Sequence, residues 1–123
     1  MDPEAFRADC LSFPGVTEDL KWEHDLVFSV GKKMFAVLVL EPTTPHSASF
    51  KCTPEVFAEL TEQAGVSPAP YLARYDWVAI EELHTLEEGV LKSLLAESYR
   101  LVFERLPRRT RDEIEGPEKK GTE

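Results

Sequence analysis

Apolar positions near the start of the chain recur at helical spacing. Asp2-Pro3 pairs a capping residue with a proline whose fixed φ suits the first helical position, and Ala5, Phe6, Cys10 and Leu11 follow on one face. The spacing predicts a helix over 3–12. Phe13-Pro14-Gly15-Val16 breaks it, because proline disfavours helix in the residue before it and glycine permits a turn.

From Glu18 to Cys52 the pattern shifts to short runs rich in β-branched and aromatic residues: Leu20–Trp22, Leu26–Val30, Met34–Leu40 and Ser47–Lys51. These read as four strands. Gly31-Lys32-Lys33 has hairpin length, and Glu41 to His46 forms a looser turn, so consecutive strands must run antiparallel. Thr53-Pro54 repeats the cap-and-proline start, with Val56, Phe57 and Leu60 on the inner face of a short helix ending near Gly65. The proline-rich stretch from Val66 to Arg74 reads as an extended loop that leads into a fifth strand over about 75–80. Thr85 and Glu88 have the spacing of a capping box, and Val90, Leu91, Leu94, Leu95, Leu101 and Val102 make the stripe of a last helix that Pro107 ends.

The order helix, four strands, helix, strand, helix suits an α+β fold. It is a two-layer sandwich in which an antiparallel sheet of about five strands carries its helices on one face. Residues 1–107 form a single domain and 108–123 a charged tail, expected to be mobile because Gly116 to Gly121 offers nothing apolar to bury.

A length of 123 residues is enough for one core without metal or disulfide staples. Cys10 and Cys52 lie far apart without a C-x-x-C partner and are expected as reduced, buried thiols. The acidic start lacks a signal-peptide pattern and no apolar run reaches membrane-spanning length, so a cytoplasmic protein with no membrane association is expected, as a monomer or weak dimer. A formal charge of -9 opposes generic attraction to phosphate backbones. The charge is uneven: residues 1–99 hold 7 Lys and Arg against 17 Asp and Glu, whereas 100–123 hold 7 against 6.

Phe13-Pro14-Gly15-Val16-Thr17-Glu18, Val30 to Ala36, Ser49-Phe50-Lys51, Pro68-Ala69-Pro70-Tyr71-Leu72-Ala73-Arg74-Tyr75-Asp76-Trp77-Val78 and Ser98 to Val102, in that order, resemble the YjbR/MmcQ family. The resemblance implies a frataxin-like or secretion-chaperone-like α+β fold with two hairpin wings proposed to contact DNA. Asp76 stands where relatives often carry a basic residue, and would oppose a phosphate. Lys33 stands where a second glycine is common, adding a cation to the hairpin.

The candidate nucleic-acid-binding residues are Lys32 and Lys33 on that turn, Lys51 at a strand end, Arg74 beside the proline loop, and Trp77. Cations on loops can reach phosphates, and an aromatic can stack on an unpaired base or brace a cation. The competing structural roles are solvated turn residues for the cations and a core position for Trp77, which a strand tryptophan favours. Arg105, Arg108, Arg109 and Arg111 form the only dense basic run, read as complementing a helix C-terminus rather than as an arm for nucleic acid. His24, His46 and His84 lack metal-ligand spacing, and adjacent acid pairs such as Glu81-Glu82 diverge on a regular element, so no metal site or cofactor is expected. There is no phosphate loop, nucleophile elbow or H-E-x-x-H, so no catalytic residue is assigned and the chain is read as not an enzyme. The leading expectation is a non-catalytic domain that binds DNA. A protein-interaction module with an acidic surface is the alternative, and a small-molecule pocket lined by Tyr71, Trp77 and Tyr99 a third.

Overall fold

A computed structural model describes residues 1–40 and 46–121, with side chains described through residue 116. The expected Glu41–His46 turn therefore falls largely outside the described residues. Both proline-led helices begin as their sequences dictate. Asp2 Oδ1 accepts from the Ala5 amide at 2.8 Å to start α1 (Pro3–Leu11), and Thr53 Oγ1 accepts from the Val56 amide at 3.2 Å to start α2 (Pro54–Leu60).

Six strands, β1 (Val16–Lys21), β2 (Asp25–Val30), β3 (Lys33–Val39), β4 (Ala48–Lys51), β5 (Val66–Pro68) and β6 (Trp77–Ile80), form one antiparallel sheet in the order β1-β2-β3-β4-β6-β5. The strand additional to the expected five is β5, within the proline-rich stretch. Its three residues pair with β6 at the sheet edge, where Pro68 is tolerated at the strand end.

Register separates the two faces. One row across the sheet reads Leu20, Leu26, Leu38, Ala48, Ile80, Val66, and a second contains Phe28, Ala36, Phe50 and Val78. Apart from exposed Leu20 at the sheet edge, both rows pack under the helices, joined by Phe6 and Cys10 of α1, Leu60 of α2, and Leu91, Leu95 and Val102 of α3 (Glu88–Phe103). The row between them reads Asp19, Val27, Val37, Ser49, Ala79, Ser67. Since side chains alternate across a pleated sheet, this row faces away from the helices. It belongs to the open face, with a second small cluster made by Ala69, Trp77, Ala79, Met34, Val37 and Leu72.

β3 carries one residue more than β2 opposite the Phe28/Ser29 step, where the pairing shifts from Phe28↔Ala36 to Ser29↔Met34. Phe35 is the extra residue, and Ser98 of α3 serves the groups left beside it. Its wholly buried hydroxyl donates to the Phe35 carbonyl at 2.6 Å and accepts from the Lys51 amide at 3.0 Å. Tyr99 lies on the helix side, stacked on Phe13 with ring centroids 4.9 Å apart and donating to the Pro14 carbonyl at 2.6 Å.

Three helix boundaries differ from the pattern, the first being that α2 ends at Leu60 rather than near Gly65. Thr85 does not cap α3; its Oγ1 accepts from the Glu82 amide at 3.1 Å, closing a turn before the helix, while buried Leu83 and Leu86 pin that segment to the core. Pro107 does not end the secondary structure: α3 stops at Phe103, and Pro107 precedes α4 (Arg108–Gly121). α4 returns to the domain through Ile114, packed against the main core and closely facing Gly15, and through Thr110, which lies beside Gly31.

Cys10 and Cys52 are buried and unpaired, and burial pushes both thiols up, Cys52 to about 12. Because the thiolate is the reactive form, both should resist a disulfide-exchange reagent at pH 8 in the native protein and react only in denaturant. Rapid labelling of either in the folded state would contradict this burial.

Candidate functional site

Two adjoining depressions mark the face and the end of the sheet that the helices leave uncovered. The first is a groove of about 460 Å³ along the open face, floored by Val27, Val37, Val39 and Ala79. Trp22, on the turn between β1 and β2, and Tyr71, in the loop after β5, line it and are 71% and 99% exposed. The second is a cleft of about 300 Å³ at the end of the sheet, lined by Lys33, Lys51, Trp77, Arg105 and the apolar Val102 and Leu106. Met34 and Leu72 line both, so the two depressions form one continuous surface.

The fold accounts for the gathering of cations in the cleft. Antiparallel pairing sets the start of β3 (Lys33), the end of β4 (Lys51) and the start of β6 (Trp77) at the same end of the sheet. Lys51 lies opposite Trp77 and is held by a 2.6 Å hydrogen bond from its ammonium to the Tyr75 carbonyl. Arg105 follows the end of α3 and enters from the helix layer. Among the described residues no carboxylate lines this cleft, although the chain holds 23 Asp and Glu. Each cation therefore raises the local potential without a lining acid to cancel it.

Three of the residues singled out from the sequence, Lys33, Lys51 and Trp77, meet here. Trp77 is only 4% exposed, so it supports the cleft wall rather than offering a free ring face. Lys32 sits exposed at the turn tip, and the Arg74 guanidinium lies 4.9 Å from the Tyr75 ring centroid; neither lines the cleft. Arg105 was hidden in the basic run assigned to a helix terminus, and only the packing of α3 against the sheet end separates it from its neighbours. The same neighbourhood accounts for Asp76. It adopts φ 65, a left-handed conformation that Asp tolerates, its carbonyl accepts from the Cys52 amide at 2.9 Å, and it lines neither depression.

The expected pocket of Tyr71, Trp77 and Tyr99 does not form. Tyr99 belongs to the helix-side core, and Tyr71 and Trp77 line different depressions of the other face. Among the described residues, no group of three or more His, Cys, Asp or Glu side chains is placed to hold a metal ion, and no helix is long and apolar enough to cross a membrane.

The YjbR family model matches residues 11–101, and the chain belongs to that family. A structural-genomics crystal structure of a protein from Pseudomonas syringae is similar in fold, with a TM-score of 0.68 at 21% identity over 83% of this chain and 99% of that one. No curated protein matches the sequence.

Proposed function

We propose that this YjbR-family chain is a non-catalytic, cytoplasmic binding domain whose ligand is DNA, gripped through its phosphates at the basic end of the sheet. The observation that carries the reading is the convergence of Lys33, Lys51 and Arg105 on one cleft with no lining carboxylate, in a chain of net charge -9. The acidic body opposes nucleic acid at long range, and the cleft is a place where cations gather without a lining acid, so contact is favoured there. Lys32 and Arg74, outside the cleft lining, add longer-range attraction. Such binding is salt-sensitive and largely independent of sequence.

The test is oligonucleotide binding by fluorescence anisotropy across a salt series, for the native protein and a Lys33→Ala, Lys51→Ala, Arg105→Ala triple variant. Each cation that neutralises a phosphate contributes about 0.7–0.9 to the slope of log affinity against log salt, so the triple variant should lose a slope of about 2–3 together with most of its affinity. A Lys92→Ala control, on a helix residue that lines neither depression, should behave as the native protein. An unchanged slope in the triple variant would remove the cleft from the mechanism.

A protein-interaction module is the second reading. It is favoured by the edge position of β1, with Leu20 and Trp22 exposed beside it. An edge strand offers unpaired backbone groups to an added strand. Failure of every oligonucleotide to bind at low salt would move the assignment to this reading.

A further inference from the structure

The open-face groove adds something that phosphate contacts do not require. Trp22 and Tyr71 are large, exposed aromatics, and both hold left-handed backbone conformations, with φ 51 and φ 66. Bulky side chains rarely adopt that region, and such strain persists where the surrounding structure imposes it, often at binding sites. At Trp22 the left-handed backbone is shared with Glu23 (φ 69) in the turn that closes the β1–β2 hairpin, at Tyr71 it lies in the loop after β5, and both place an aromatic ring at the same groove. Neither ring belongs to the hydrophobic core.

Resting on the reading of the basic cleft as a phosphate site, we infer that the ligand is single-stranded DNA, whose unpaired bases lie on the open sheet face against Trp22 and Tyr71. Three observations favour this occupant. Met34 and Leu72 make the groove continuous with the basic cleft, so a strand with its backbone in one can place bases in the other. The groove runs along β3 from Met34 to Val39, about 17 Å at the usual strand rise, which is about five nucleotides at a 3.4 Å stacked spacing. Its floor is apolar, as base faces require, while Lys21 supplies a cation at the far end and Asp25 is the lone lining carboxylate among the described residues.

A duplex cannot use this surface. Its base faces are stacked on one another and hidden, so exposed aromatics gain nothing from it, whereas an unpaired base presents its π-face to any ring. The gain from stacking needs only a π-face, so the preference is for strandedness before sequence.

The experiment compares three fluorescein-labelled ten-residue probes: oligothymidylate, a duplex of equal length, and a backbone of abasic sites. The proteins are the native chain, Trp22→Gly, Tyr71→Gly and the triple cation variant. Glycine accepts the left-handed backbone, so both aromatic variants should keep or raise the melting temperature, which separates lost binding from lost folding. Oligothymidylate should bind at least about tenfold more tightly than the duplex or the abasic strand, and each aromatic variant should lose about tenfold for it while binding the abasic strand as before. The triple cation variant should weaken on all three probes. Duplex bound as tightly as oligothymidylate, or oligothymidylate binding indifferent to both glycine variants, would overturn the single-strand inference and leave the phosphate cleft standing. Loss of all binding at low salt in the native protein would overturn both.

Discussion

Ser98→Ala should destabilise the domain by about 2–4 kcal/mol, far more than the removal of one small hydroxyl from a helix surface. The hydroxyl is wholly buried and serves two backbone groups, donating to the Phe35 carbonyl and accepting from the Lys51 amide. Neither group has a strand partner at that point, because the β3–β4 pairing stops at Ala36↔Phe50 and Phe35 is the extra residue of the bulge. Alanine leaves both without a bond, and each unsatisfied buried group costs about 1–3 kcal/mol. Urea denaturation should show a lower midpoint at unchanged slope. Ser98→Thr, which retains the hydroxyl, should recover part of the loss, whereas a cost below about 0.5 kcal/mol for Ser98→Ala would mean that water replaces the hydroxyl. The same bond fixes the backbone between two cations of the cleft, so, on the proposed DNA-binding role, Ser98→Ala protein that remains folded should also bind oligonucleotides more weakly than its intact lysines and arginine would suggest.

That coupling shows where sequence reasoning reaches its limit. The helix starts at Pro3 and Pro54 were legible because a cap and a proline act locally, and the β2–β3 hairpin from its flanking runs and turn residues; the first strand, expected over Leu20–Trp22, runs instead over Val16–Lys21, with Trp22 in the turn after it. The fold class followed from them. β5 was not legible, because three residues at an edge owe their strand to pairing with β6 rather than to their own composition. α4 was missed for a similar reason: one apolar residue, Ile114, anchors a helix whose other described positions are polar or small. Thr85 and Glu88 had capping spacing, yet tertiary packing of Leu83 and Leu86 redirected the threonine to a turn.

The candidate site divides along the same line. Lys33, Lys51 and Trp77 could be singled out because hairpin and strand ends are recognisable in sequence. Arg105 depends on where α3 meets the sheet end, a non-local fact. The aromatic groove was the least legible part. Nothing in the composition says that Trp22 and Tyr71 share a surface, and a left-handed φ at either residue is opposite to what its type favours.

Gly31→Ala should cost roughly 2–5 kcal/mol, although the residue sits in a two-residue turn where small changes are often tolerated. Gly31 and Lys32 both have positive φ, 56 and 68, the pairing of conformations that closes a tight hairpin between β2 and β3. A left-handed conformation costs an L-residue about 1–2 kcal/mol relative to glycine. The larger part is steric: a Cβ here would lie 2.7 and 2.8 Å from the two methyl carbons of buried Leu106. Overpacking of that kind costs about 1–3 kcal/mol. Leu106 lines the cation cleft, so relief of the clash must displace a wall of that cleft. The double variant Gly31→Ala, Leu106→Ala isolates the steric part, because removing the leucine methyls abolishes the clash and leaves the conformational cost. The double variant should therefore be more stable than the sum of the single losses by about 1–3 kcal/mol. Strict additivity would place the whole effect in the backbone. By contrast Lys32→Gly, which relieves the neighbouring left-handed residue without a new contact, should be neutral or stabilising, so the tightness of the turn resides in Gly31 and the helix-side leucine it faces.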